Sequence, residues 1–208
     1  MRRFLIALPL ILTFFGRGTA VEGETVRDVP AADRTLEERF LDVLGKAKVP
    51  AKTVDGTPVK WAVALKSDLL PNVRVYKYWN RYPRSVIVDI DRKEIVEKFD
   101  DAVMTQWIQS AKVRCDTEQK AKALSEFYTQ ARHEPYSAEG LKSIVTASDN
   151  GFTAVCTYTR TTVWSPANVK VAGSKVAEYR LQCMVRRDGT FTSQGPEEVR
   201  VLSTFPRQ

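Results

Sequence analysis

The residues that could carry out acid–base or metal chemistry are few, and they gather near one predicted strand end. Asp89 and Asp91 alternate onto one face there, and Asp100 and Asp101 follow in the next predicted helix. Such carboxylates could hold Mg²⁺ or Ca²⁺, or act as the paired acids of a hydrolase. Helix capping by Asp91 explains the pattern without catalysis, and the chain has no phosphate-loop, dinucleotide, nucleophile-elbow or HExxH motif. We therefore expect no enzyme activity, no metal and no cofactor, with a carboxylate-dependent hydrolase as the alternative.

His133 is the single histidine of the chain. A Ser-His-Asp triad, a Cys-His pair or a two-histidine metal site would each depend on it. It lies at the predicted end of a helix, where the helix dipole favours imidazolium, so we expect a structural or solvent-facing role. The histidine count favours a binding function over a catalytic one.

A stretch of alternating basic and aromatic residues is the candidate interface, and it contains no acid between Asp68 and Asp89. Arg, Tyr and Trp are enriched at protein interfaces, and the same groups can stack on bases or contact glycans. The alternative is a strand that buries Val73, Val75 and Trp79 and leaves its other face half exposed. The candidate residues are Arg74, Tyr76, Lys77, Tyr78, Trp79, Arg81, Tyr82 and Arg84. A second basic cluster comprises Arg180, Arg186, Arg187 and Arg200.

Three cysteines, Cys115, Cys156 and Cys183, leave one thiol over after any single bridge. Cys156 and Cys183 lie on consecutive predicted strands. They would be directly opposite each other if the connection between the strands is centred near residue 169 or 170. This placement predicts a cross-strand disulfide in an oxidising compartment, and the alternative is that both are small buried apolar residues.

The spacing of apolar residues, which predicts the elements that position these side chains, changes from a helical period to a period of two along the chain. Thr35 to Glu38 has capping-box spacing and predicts a helix over 35–47, and three strands are predicted at 59–65, 73–79 and 85–90. A second helix is predicted over 91–111, capped by Asp91, and a third begins after Asp116. The last seventy residues alternate with a period of two around Asn150-Gly151 and Asp188-Gly189 turns, which predicts a four-strand antiparallel meander. The expected class is α+β, with helices packed on the meander.

This order of elements resembles the NTF2-like and cystatin-like α+β superfamily. The likeness covers residues 91–205, where two amphipathic helices precede a curled meander and the Arg-Arg-Asp-Gly-Thr-Phe turn at 186–191 leads into the last strand. In outline it is similar to the periplasmic domains of type IV secretion components of the VirB8 type. The resemblance implies a component of a secretion or conjugation assembly. A concavity between sheet and helices gives an alternative, a pocket for a small ligand.

The first twenty residues have the three-part pattern of a secretory signal peptide: Arg2 and Arg3, an apolar run, and small residues up to Ala20. Without them the formal net charge falls from +7 to +4, which is weak support for a nucleic-acid partner. We expect a leader at 1–20, a flexible segment at 21–34, a smaller helix-and-strand segment at 35–90 and the helices with the meander at 91–208. The predicted protein is periplasmic or secreted and binds another envelope or secreted protein, and stable membrane anchoring is expected only if the leader is retained.

Overall fold

The structure, a computed structural model, describes residues 35–46, 52, 56–80, 82–134, 138–164 and 173–205. This part of the chain forms three helices and two antiparallel four-stranded sheets, so the predicted α+β class is confirmed. Sheet 1 has the order β1-β2-β3-β4 and sheet 2 the order β5-β6-β7-β8. In chain order the elements are α1 (Leu36–Gly45), β1 (Trp61–Lys66), β2 (Val73–Asn80), β3 (Tyr82–Asp89), β4 (Glu94–Val96), α2 (Asp101–Ser110), α3 (Glu118–His133), β5 (Glu139–Ser148), β6 (Gly151–Trp164), β7 (Gly173–Arg186) and β8 (Phe191–Phe205).

The elements stack in four layers. Helices α2 and α3 lie between the two sheets, and one continuous core joins Val75 of sheet 1, Leu124 of α3 and Leu181 of sheet 2. Helix α1 covers the other face of sheet 1, where Phe40 packs with Tyr76 and Val88. The space between the helices and sheet 2, where a ligand concavity was expected, is therefore filled by core side chains.

Helix α1 begins as the sequence predicts. The side chain of Thr35 accepts a hydrogen bond from the backbone N–H of Glu38, and the Glu38 carboxylate accepts one from the backbone N–H of Thr35. This reciprocal capping satisfies two donors that the first turn leaves without helical partners. The helix buries Phe40, Val43 and Leu44 on one face, which fixes it on sheet 1.

The second predicted helix is wrong in its first half. Residues 94–96 form the short strand β4 instead, and Asp100 rather than Asp91 caps α2 by accepting from the backbone N–H groups of Ala102 and Val103. Ile95 lies opposite Val88 of β3, so it extends sheet 1 under α1. Pairing with β3 thus prevails over a capping pattern and an apolar spacing that also fit a helix.

The third helix and the meander are confirmed. Thr117 caps α3, because its side chain accepts a hydrogen bond from the backbone N–H of Lys120. A two-residue loop, Asp149-Asn150, joins β5 to β6. Gly189 has φ +85° in the β7–β8 turn, a conformation that glycine adopts at little cost. After this turn a single strand, β8, runs to Phe205, with three shifts of register against β7.

Two predicted segments, the leader at 1–20 and the flexible stretch at 21–34, lie outside the described residues. Among the helices of the described ranges, none combines the length and hydropathy that crossing a bilayer requires.

Candidate functional site

The structure gives Asp89 a full set of partners in the turn after β3. This side chain is 2% exposed; Oδ2 accepts from Trp107 Nε1 at 2.7 Å, and Oδ1 accepts from the backbone N–H groups of Asp91 and Arg92. Asp91 is exposed and accepts from the Asn72 side chain at 2.9 Å. The two carboxylates therefore have separate hydrogen-bond partners, although both residues line one small pocket of about 40 Å³, and Asp89 joins the β3–β4 turn to α2.

The second acidic pair is also divided between separate contacts. Asp100 caps α2, and its hydrogen bonds with the backbone of Val103, with Lys98 and with Ala102 keep the pKa of its carboxyl below the usual value. Asp101 accepts from the Tyr128 hydroxyl at 2.5 Å and from both the backbone N–H and the hydroxyl of Ser193 at 2.7 Å, so it ties α2 to α3 and β8. Within the described residues no group of three acidic, histidine or cysteine side chains is arranged to hold a metal ion.

His133 ends α3 as predicted and is 5% exposed. Its Nε2 shares a hydrogen bond with the hydroxyl of Tyr158 on β6, and the two rings are 4.7 Å apart. Burial, together with the positive charges of Arg160 and Arg132, lowers the pKa of His133 to about 4. The imidazole is therefore neutral at neutral pH and joins α3 to sheet 2, a structural contact rather than an exposed one.

The predicted disulfide between Cys156 and Cys183 is wrong, because both are buried free thiols, as is Cys115. Pairing of Trp164 with Gly173 sets the register of β6 on β7. Cys156 consequently lies opposite Leu181, and Cys183 lies opposite Ala154, so the cysteines are diagonal neighbours and not an opposed pair. A hydrogen bond with Cys156, reinforced by burial, raises the pKa of the Cys183 thiol.

The first half of β2 is part of the core. Arg74 is 9% exposed; its guanidinium lies 4.3 Å from the centre of the Phe40 ring and pairs with Glu37 of α1. Tyr76 is 3% exposed under the same helix. On the other face Lys77 forms an ion pair with Glu134 at 2.7 Å, at the end of α3. These three candidate interface residues hold α1 and α3 on sheet 1.

The second half of β2 is exposed. Trp79, which the alternative strand assignment buried, is 63% exposed because α3 ends beside Lys77 and nothing described covers the strand beyond it. The rings of Tyr78 and Trp61 of β1 are tilted against each other with their centres 4.7 Å apart, and Arg84 of β3 lies opposite Tyr78 with its side chain exposed. Tyr82 begins β3, and Arg81 lies outside the described residues. The predicted surface is thus reduced to the tip of the β2–β3 hairpin.

Sheet 2 extends past α3 at the same end of the molecule. The last residues of α3 contact Lys77 of β2 and Tyr158 of β6, and both strands continue beyond those contacts. We call this part the projecting end: residues 78–80 and 82–84 of sheet 1 with 159–163, 174–178 and 199–205 of sheet 2. Nine large apolar side chains are well exposed among the described residues, and six belong to the projecting end: Trp79, Val163, Val199, Val201, Leu202 and Phe205.

Of the second basic cluster, only Arg200 lies within the projecting end, and it is paired there with Glu178. Arg180 and Arg200 pair with glutamates on the neighbouring strand, Glu197 and Glu178, each at 2.9 Å. Residues 186–187 are at the β7–β8 turn, at the other end of the strand from Gly173. The four arginines are therefore dispersed along sheet 2.

A cleft that the sequence did not indicate lies between α3 and the end of β1. Its volume is about 450 Å³, within the range of small-molecule sites. Leu65, Leu69 and Phe127 form its apolar floor, and Lys66, Asp68, Gln119 and Gln130 stand among its polar lining residues. Its existence depends on how residues 65–69 approach α3, a long-range contact that no local spacing encodes.

Comparison of the chain with family models, with curated proteins and with solved structures finds no match.

Proposed function

We propose that this chain is an exported, non-enzymatic binding protein that holds another envelope or secreted protein through its projecting end. The observation that carries the proposal is the concentration of exposed apolar side chains there, six of nine among the described residues. Clustered exposed apolar surface is typical of interaction sites, whereas scattered single residues are ordinary surface.

The residue types at the projecting end support a protein partner. Trp79 is exposed on one face of the β2–β3 hairpin, and Tyr78, in contact with Trp61, lies with Arg84 on the opposite face of the same hairpin. Trp, Tyr and Arg contribute most of the binding free energy at many protein interfaces. The signal-peptide pattern of residues 1–20 supports export, and a role in a secretion or conjugation assembly rests on the resemblance of element order.

The side chains that could act in acid–base catalysis are engaged in structural contacts, which favours a binding function over hydrolysis. Asp89 and Asp101 have hydrogen-bond donors on both oxygens, and His133 is buried against Tyr158. A carboxylate-dependent hydrolase therefore remains the weaker proposal, since it would have to displace these contacts.

The test compares variants at the projecting end with one on the open face of sheet 2. Trp79→Ala combined with Arg84→Glu should reduce recovery of the crosslinked partner from the native envelope at least tenfold, while the melting temperature stays within about 2 °C, because both side chains are exposed. Ile144→Ala is the matched control, since Ile144 is 74% exposed and lies on β5, outside this end. Equal recovery from both proteins would refute the proposal.

A further inference from the structure

Two segments of the chain form the walls of the cleft between β1 and α3. Residues 65–69 supply one wall, as β1 ends and the chain turns toward Leu70. Helix α3 supplies the other with Gln119, Ala123, Phe127 and Gln130. Their spacing of four, four and three residues places them on one helical face over about three turns.

Four polar side chains of the cleft have no side-chain partner among the residues that the structure describes. In the described part of the chain, Lys66, Asp68, Gln119 and Gln130 make no side-chain hydrogen bond or ion pair. The other charged lining groups are engaged: Lys120 binds Asp116 at 2.7 Å, and Glu126 accepts from Ser143 and faces Lys122 at 3.9 Å. The charges available to a ligand are therefore one ammonium and one carboxylate.

The available charges select the class of ligand. Lys66 and Asp68 are two residues apart and both line the cleft, so one wall carries a positive and a negative group. An anion or a cation alone would meet the like charge beside its partner, whereas a molecule with adjacent ammonium and carboxylate groups satisfies both. Leu65, Leu69 and Phe127 offer apolar contact to its side chain, and the glutamine amides can donate to and accept from its polar atoms.

We propose that this cleft binds a zwitterion with an apolar side chain, of amino-acid or dipeptide size. The ligand carboxylate meets Lys66, its ammonium meets Asp68, and its side chain lies on the Leu65, Leu69 and Phe127 floor. This site is independent of the proposed partner surface, because its lining residues and the projecting end share no residue.

Titration calorimetry of the full chain with four probes tests the site: leucine, N-acetyl-leucine, leucinamide and the dipeptide Leu-Ala. Leucine or Leu-Ala should bind, and the stronger of the two distinguishes a free amino acid from a dipeptide. Blocking either charged end should weaken leucine binding about tenfold, the effect of losing one charged hydrogen bond. Equal affinity for all four probes, or no binding by any at millimolar concentration, would overturn the proposal.

Variants at the exposed charges assign each contact without threatening the fold. Lys66→Gln should weaken leucine and N-acetyl-leucine about tenfold and leave leucinamide unchanged. Asp68→Asn should weaken leucine and leucinamide and leave N-acetyl-leucine unchanged. Gln109→Ala, on the exposed side of α2, is the control and should leave every affinity unchanged. The assignment would be refuted if Gln109→Ala abolished the binding of all probes, or if neither charge variant changed any affinity. Neither result would bear on partner capture at Trp79.

Discussion

Sheet 1 and sheet 2 have the same number of strands and the same antiparallel order, but helices cover them differently. Sheet 1 lies between α1 and α3, so even Arg74 and Tyr76 are buried in it. Sheet 2 packs on the helices with one face only, and its other face carries exposed side chains such as Ile144 and Gln182. A basic or aromatic residue of these sheets is therefore structural where a helix covers it and available to a partner where none does.

The sheets become alike at the projecting end, because neither is covered there by α3. Trp79 of sheet 1 is 63% exposed, and Val201, which lies opposite buried Ala177 on the inner face of sheet 2, is 49% exposed. This shared loss of cover is the reason for assigning the partner surface to that end.

The largest expected difference in the free energy of unfolding is between a variant on the covered face of sheet 1 and a variant on the open face of sheet 2. Phe40→Ala removes a fully buried ring between α1 and sheet 1 and should lower the free energy of unfolding by about 3–5 kcal/mol. Ile144→Ala should change it by less than about 0.5 kcal/mol. Urea denaturation of both variants measures this, and a comparable loss for Ile144→Ala would mean that the outer face of sheet 2 is covered.

The free energy of unfolding should depend on pH, because His133 is buried against the covered face of sheet 2. His133 has a pKa of about 4 in the folded chain and an ordinary value of 6.5 when unfolded. Between these values the unfolded chain binds a proton that the folded chain does not, so stability is complete above pH 6.5 and falls toward pH 4, by roughly 3 kcal/mol in all.

The variant His133→Gln isolates this effect, since an amide can still bond the Tyr158 hydroxyl but does not titrate. Denaturation midpoints between pH 7 and 5 should fall less in the variant than in the parent protein. Parallel pH profiles for the two proteins would contradict the assignment of the effect to His133.

The smallest expected difference in the free energy of unfolding is between variants of two arginines, each of which pairs with one glutamate. Arg74→Met should cost about 1–2 kcal/mol, because it breaks the pair with Glu37 and the contact over Phe40 beneath α1. Arg180→Met should cost less than about 0.5 kcal/mol, because Arg180 and Glu197 are both more than half exposed. Thermal denaturation in low and high salt checks this, and equal losses would remove the distinction between the two sheets.

Local patterns predicted much of the fold. The capping box at Thr35, the periodicity of α3 and the hairpin turns before Gly151 and at Gly189 are all local and are confirmed, the first turn one residue earlier than the Asn-Gly pair predicted. The helix predicted from Asp91 is wrong because Ile95 pairs with Val88 on β3, a contact that helical spacing does not reveal. The cysteine pairing is wrong for a related reason, since one shift of two residues in register separates opposed from diagonal neighbours.

The candidate site could be predicted only in part. The stretch from 74 to 84 was recognised from its composition, but the sequence could not show which members stay exposed. Exposure depends on where α1 and α3 end over β2, which separates buried Arg74 and Tyr76 from exposed Trp79. The cleft beside α3 had no sequence signal, since residues 65–69 and 119–130 meet only in the folded chain.

Site-specific photocrosslinking in the native envelope tests the central claim most directly. A photoreactive phenylalanine analogue is placed at position 79, at position 205 or, as control, at position 144. The account predicts one and the same protein adduct from positions 79 and 205, and no adduct from position 144. Adducts from position 144 alone, or none from positions 79 and 205, would contradict it.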